Sequence, residues 1–364
     1  MKRILLLAVF GSVAWAQLTP QETTANLESF DVVWRTVRDR HPDPKLNGLN
    51  WQAVHEEVRP KVAAATSMDE VRGALTSMLD RLGASHYAVI PGSRYKAAEP
   101  VTAPAVATRV SVTAVETRPP PSAPEAEKVV APAPVVVPAA VEASAEPPQK
   151  GKLVTFGNLP EQRIYFESRR LPGGSGYIHF NEFLDPVSIM PQVAAAMKEF
   201  AKAPGIVLDL RGNPGGIGIM AMGIAGFFVS KEGQKLGEMK MRDMTLKFVI
   251  YPRGEVYEGP LAILVDGGSA STSEILAQGL RDLGRARIFG TRTAGAALPS
   301  DIVRLPNGDG FQYAQASYIS EKGKVLEGAG VDPDEEVRET REALSAGRDV
   351  VAEAAEKWIL GLRR

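Results

Sequence analysis

An α/β core behind an N-terminal helical domain is the architecture this sequence predicts. Three observations carry it. Apolar residues recur at three-four spacing through the first eighty or so positions, the period of a helix. From about residue 151, short apolar strands alternate with amphipathic helical stretches, which argues a largely parallel sheet covered by helices. Between the two, residues 97–150 hold 11 of the chain's 27 prolines and neither a glycine nor an aromatic residue. That composition reads as an extended linker unable to bury enough surface to fold.

Bulk properties narrow the function classes. A chain of 364 residues with 44% hydrophobic residues can build two or three domains with a sizeable core. A net charge of −1 implies neither nucleic acid nor an anionic membrane as partner. The absence of cysteine excludes disulfides, thiolate metal sites, cysteine catalysis and acylation of the mature N-terminus.

Taken in order, Met1 to Ala16 has the pattern of a secretory signal peptide. Lys2 and Arg3 precede an apolar run from Ile4 to Val13, and Ala14-Trp15-Ala16 is a small-x-small cleavage site before Gln17. The run is too short to cross a bilayer comfortably. The expectation is an exported protein, periplasmic or secreted, with no stable membrane insertion after cleavage. Residues 17–96 are expected to be the helical domain. Leu27, Phe30, Trp34 and Val37 mark a first helix that stops before His41-Pro42. Trp51, Val54 and Val58 mark a second. Ser67 and Glu70 form a capping box for a third, whose core face is Val71, Leu75, Met78, Leu79 and Leu82. Ala84-Ser85-His86 then turns into a short strand that ends this domain.

After the linker, residues 151–338 read as the α/β core. Strands are expected at 163–171, 176–180 and 206–210, near Lys240, and at 247–251, 261–265 and 286–289. Helices are expected at 186–201 and through Phe228, with another carrying Ile275, Leu276, Leu280 and Leu283. Asn307-Gly308 and Lys322-Gly323 are hairpin turns. Residues 339–364 are expected to hold one closing helix, Thr340 to Leu360.

Two strand-to-helix corners could carry chemistry. The first is Asp209-Leu210-Arg211-Gly212-Asn213-Pro214-Gly215-Gly216. Its glycines allow close backbone approach and leave N–H groups free. The second follows the five apolar residues 261–265 as Asp266-Gly267-Gly268-Ser269-Ala270-Ser271-Thr272-Ser273-Glu274. A serine at such a helix start could be a nucleophile, with unpaired amides nearby for an oxyanion. A serine N-cap is the alternative. Neither corner matches a phosphate loop or a dinucleotide fingerprint, and the second misses the Gly-x-Ser-x-Gly elbow. No cofactor or metal is called for. Of the four histidines, His41 and His55 read as solvated surface positions and His179 as an ordinary strand residue. His86 stands at the mouth of a turn.

The two corners occur in order with Gly290-Thr291-Arg292-Thr293-Ala294-Gly295 and Gly328-Ala329-Gly330-Val331-Asp332-Pro333-Asp334. From about Phe156 to Val337 this arrangement resembles the C-terminal processing peptidases and their tricorn-core relatives. The resemblance implies a ClpP/crotonase-like α/β core and serine endopeptidase activity on polypeptide substrates. It implies Ser271 as nucleophile, not Ser269 or Ser273. The oxyanion hole would be the N–H of Thr272 and of Gly216 by preference, or Gly215. Asp282 matches a structural position. The family's Ser-Lys branch carries a lysine where this chain has Ala296, so the resemblance turns to the tricorn-like branch. Ser85-His86 then matches the Ser-His pair, and Glu327 the glutamate that orients the histidine. His86 would take the Ser271 proton and return it to the leaving amine. Many relatives carry a PDZ domain where this chain has its proline-rich linker, so that domain is expected to be missing. The rival reading is a catalytically inactive relative, acting as a hydrophobic-ligand carrier or a cell-envelope interaction protein.

Overall fold

The computed structural model describes residues 17–94, 151–155 and 161–362. The expected signal peptide, 1–16, and the linker, 97–150, lie outside the described residues.

Helix α1 (Pro20–Arg40) begins at a capping box in which Glu22 N donates to Thr19 Oγ1 and Thr19 N to Glu22 Oε2. Helices α2 (Trp51–Ala64) and α3 (Met68–Asp80) are capped by Asn50 and Ser67, whose side chains accept from Ala53 N and Glu70 N. Each cap satisfies an amide that a helix start leaves free. The helices meet over Phe30, Val33, Val37, Trp51, Val58, Leu75 and Leu79, all buried. Strand β1 (Ala88–Ile90) leaves this unit.

The second segment opens with a small hairpin, β2 (Lys152–Val154) and β3 (Gln162–Ile164). Then follow β4 (Phe166–Arg170), β5 (Gly176–Phe180), α4 (Pro186–Glu199), β6 (Ile206–Asp209) and α5 (Gly218–Ala225). Next come β7 (Lys235–Lys240), β8 (Thr245–Val249), β9 (Leu261–Val265), α6 (Thr272–Asp282) and β10 (Arg287–Gly290). The chain closes with β11 (Ser300–Arg304), β12 (Gly310–Ala314), β13 (Ser317–Ser320), β14 (Glu335–Glu336), α7 (Arg341–Ser345) and α8 (Val350–Gly361).

Six strands form the central sheet in the order β14-β10-β9-β6-β5-β4, parallel except for β4 at the edge. The five apolar residues of β9 are all buried because the sheet is covered on both faces. Leu261, Ile263 and Val265 enter the large core shared with α4, α5 and α6, while Ala262 and Leu264 face Ala352, Ala355 and Ile359 of α8. Strands β13-β7-β8 form a second, antiparallel sheet. The mixed α/β architecture with a helical N-terminal region is the one expected.

Several local expectations are corrected. The closing helix is two helices, because Gly347 adopts φ +66° after α7 and Asp349 caps a new start, its carboxylate accepting from Ala352 N. Strand 163–171 is divided into β3 and β4. His41 is buried, not solvated: its ring stacks on Tyr87 with centroids 5.7 Å apart, and its Nδ1 accepts from Asp43 N. His55 packs edge-on against Trp34 at 4.7 Å and lies near Phe30. The hairpin β11–β12 belongs to the helical unit's core: β12 pairs antiparallel with β1, and Leu305, Phe311 and Tyr313 join Phe30 and Leu75.

Candidate active site

The two corners predicted from sequence are adjacent, because β6 and β9 are parallel neighbours whose C-terminal ends finish together. Asp266 Oδ1 ties them, accepting from Gly212 N at 2.8 Å, Gly268 N at 2.9 Å and Ser269 N at 3.1 Å. Ala270 N donates to Asn213 O at 3.0 Å. Contact is so close that a Cβ on Gly215 would lie 2.8 Å from Ala270 O, Ser271 Cβ and Thr272 N. Gly215 also needs φ +99°, a backbone region that glycine alone enters easily.

The three serines separate cleanly. Ser269 is buried and donates to Leu210 O at 2.7 Å. Ser273 is buried and donates to Asn213 O at 2.9 Å. Ser271 lines an open cleft; its side chain faces Glu274 N in a capping box, and its hydroxyl donates no hydrogen bond among the described residues. Its backbone is strained at φ +52°, ψ −115°. For a non-glycine residue such strain persists only where surroundings enforce it. Those surroundings are Ala296 O and Glu274 Oε2, which both accept from Ser271 N, at 2.8 and 2.9 Å.

Glu274 is the residue whose part the sequence left unread. Fully buried, it accepts from four donors: Ser271 N, Ala296 N at 3.0 Å, Gly295 N at 2.9 Å and Thr293 Oγ1 at 2.5 Å. Burial pushes its carboxyl upward, and these donors pull it back. Its presence three residues after Ser271, as in a capping box, was the available signal. Asp282 accepts from Gln278 Nε2, Ser320 Oγ and Lys322 N.

Backbone donors face the same cleft. Gly215 N is engaged with Asn213 Oδ1 at 2.9 Å. Gly216 pairs with Phe183 through its neighbours, Phe183 N donating to Gly215 O and Ile217 N to Phe183 O. The Gly216 and Thr272 amides have no acceptor among the described residues. Thr272 Oγ1 is occupied by Gly216 O at 2.7 Å.

The helical unit supplies the other wall. His86, in a left-handed conformation at φ +62°, lines the cleft that holds Ser271, Gly215, Gly216 and Thr272, a cavity of about 880 Å³. No hydrogen bond joins His86 to Ser271 among the described residues. Burial lowers the imidazole's pKa to about 4. No hydrogen bond joins Glu327 directly to the ring among the described residues; Ser85 bridges them. Ser85 Oγ donates to Glu327 Oε2 at 2.9 Å and lies 2.7 Å from His86 Nδ1. With its one proton given to Glu327, the hydroxyl accepts from Nδ1–H. The Nε2 atom is then the unprotonated nitrogen. Glu327 is fixed further by Ser85 N at 2.7 Å and Ala297 N at 3.1 Å. His179, by contrast, bridges Asp209 O and Tyr165 Oη away from this cleft.

Comparison with known proteins gives concordant matches. Residues 174–337 match peptidase family S41, and residues 24–80 match the tricorn protease C1 domain. A carboxy-terminal-processing protease of Bartonella bacilliformis is 31% identical over 194 residues, covering 50% of this chain and 43% of that one. The chain thus spans less than half the length of that curated relative. A solved putative peptidase from Parabacteroides merdae has a TM-score of 0.60 at 17% identity, covering 92% of this chain and 96% of the other. The photosystem II D1 C-terminal processing protease gives 0.52 at 19% identity, covering 88% and 94%. At those identities the two solved structures speak to the fold.

Proposed function

We propose that this chain, whose residues 174–337 match peptidase family S41, is a serine endopeptidase cleaving polypeptides through an acyl-enzyme. One observation carries the reading. Of the three serines at the second corner, only Ser271 lines the cleft with a hydroxyl proton that no described residue accepts, beside two backbone amides without acceptors among the described residues.

In this reading Ser271 Oγ attacks the scissile carbonyl. Developing negative charge on the carbonyl oxygen is taken by Gly216 N–H and Thr272 N–H, preorganised by the contact between the two corners. His86 Nε2 receives the serine proton and returns it to the leaving amine. A neutral imidazole is required for that step, and burial keeps His86 neutral at physiological pH. Ser85 Oγ holds the tautomer and passes the influence of Glu327 to the ring. Substrate binding brings His86 and Ser271 into hydrogen-bond reach, as catalytic contacts often tighten only in the complex. Water then resolves the acyl-enzyme by the same steps. The signal-peptide pattern of Met1–Ala16 supports export; sequencing the N-terminus of the mature protein, with Gln17 expected first, checks it.

Ser271→Ala is expected to abolish both hydrolysis of an unfolded protein and labelling by a fluorophosphonate, with the circular dichroism spectrum unchanged. Full hydrolysis by that variant would sink the proposal. The ligand-carrier alternative predicts no labelling of the wild type, and nothing at the site favours it.

A further inference from the structure

We propose that Glu182 makes the cleft select substrates that carry a cationic group close to the scissile bond. The proposal rests on the peptidase reading above and adds to it a substrate class. Glu182 and Leu184 both line the cleft, while Phe183 between them is buried. Phe183 is hydrogen-bonded on both sides to the glycine loop, its N donating to Gly215 O and its O accepting from Ile217 N, each at 2.7 Å. The Glu182 side chain therefore enters the cleft from the strand of backbone directly alongside Gly216, the donor assigned to the oxyanion.

A carboxylate there is anomalous in two ways. It is half-buried yet has neither an ion pair nor a hydrogen bond among the described residues, and burial raises its pKa without relief. It also puts a negative charge beside the place where another negative charge develops, which opposes the reaction. Both costs vanish when a substrate brings a positive charge to Glu182. No described residue supplies one. Lys247 lines the same cleft, but no ion pair joins it to Glu182 among the described residues. Asp301, the other cleft carboxylate, is exposed and accepts from Ile302 N, so solvent and backbone already satisfy it. Around the cleft, Ile217, Met222, Leu246 and Phe248 offer apolar surface with no partner for a cation. Charge recognition thus falls to Glu182. The chemistry it reads is an ammonium or guanidinium, carried by a lysine or arginine side chain or by the free amino terminus of the substrate.

Fluorogenic peptides that differ only in Lys against Gln near the cleaved bond test this, each with a free and an acetylated N-terminus. The wild type is expected to favour the cationic peptides about tenfold in kcat/KM, a discrimination typical of one charge pair in a partly desolvated site. In Glu182→Gln that ratio should collapse to near unity, and in Glu182→Lys it should invert in favour of a matched Glu peptide. Acetylation tells the sources apart: a preference that survives it is read from the side chain, and one that disappears is read from the chain end. Fluorophosphonate labelling of Ser271 in each variant shows that the site is intact. Equal ratios in the wild type and Glu182→Gln, with labelling retained, overturn the selectivity and leave the peptidase reading standing. Failure of the wild type to cleave any peptide, with Ser271 unlabelled, overturns the peptidase reading and the selectivity with it.

Discussion

At the scale of single residues, the two side chains assigned the proton transfer sit on strained backbone. Ser271 and His86 have φ of +52° and +62°, at a cost of order 1–3 kcal/mol each for non-glycine residues. Their environments also set how pH acts. Burial brings the His86 pKa down from 6.5 to about 4. Between those values the unfolded chain binds a proton that the folded one refuses. The stability tied to neutral His86 is therefore fully present above about pH 6.5 and lost as pH falls toward 4, at most about 3 kcal/mol. Urea midpoints for the wild type should fall over that window more steeply than for His86→Gln. The acid limb of kcat/KM should likewise lie near pH 4 to 5; a half-maximum at pH 6.5 or above would contradict the buried, neutral base. Ser85→Ala, which cuts the link from Glu327 to the ring, should lower kcat by about 10- to 100-fold, less than the roughly 10²- to 10⁴-fold that general acid–base assistance contributes in full.

At the scale of elements, the site is the meeting of two strand-to-helix corners, and Glu274 fastens the second to the loop at Gly295–Ala296. Glu274→Gln replaces an acceptor-only group by an amide, so one of four buried donors meets another donor. The expected loss is about 2–3 kcal/mol in urea denaturation, with a larger fall in kcat than in KM as Ser271 shifts. Unchanged stability and kcat would refute the fastening. This scale also shows what a sequence discloses. The helix start at Ser67–Glu70 was legible because a cap is made by neighbours, and the unread start at Thr19–Glu22 is built the same way. The corners were legible because glycines and serines cluster there. His41 was misread as surface because Tyr87, which covers it, lies far along the chain. The same distance hid the interposed Ser85 hydroxyl: it bonds Glu327 across 242 positions, and no periodicity reports such a pairing. Glu274 stands at capping-box spacing from Ser271, but its donors at 293–296 come from another loop.

At the scale of the whole molecule, the proposed nucleophile and base belong to different units, so the proposed site is complete only while those units stay docked. Ser271 rides on the central sheet, whereas Ser85 and His86 are held by β1, whose partner is β12 of the hairpin packed into the helical core. A buried ion pair helps to pin that hairpin. Arg72 on α3 forks onto Asp309, with Nε to Oδ2 at 2.9 Å and Nη2 to Oδ1 at 3.0 Å. Asp309 is only 1% exposed and also accepts from Gly92 N just beyond β1. Arg72→Ala would leave a buried carboxylate without its cation, a loss of about 3 kcal/mol by analogy with other broken buried pairs. Because the loss falls on the helical unit, activity should disappear at lower urea than the central sheet unfolds. Trp34 and Trp51 report the helical unit and Trp358 the face of the sheet under α8. In an Arg72→Ala, Trp358→Phe background, the fluorescence of Trp34 and Trp51 should therefore fall together with peptide hydrolysis. Adding Asp309→Asn removes the orphaned charge and should restore part of the stability, although Arg72 is still absent. If Arg72→Ala lowers neither signal, or if the sheet melts first, the docking of the two units does not depend on this pair.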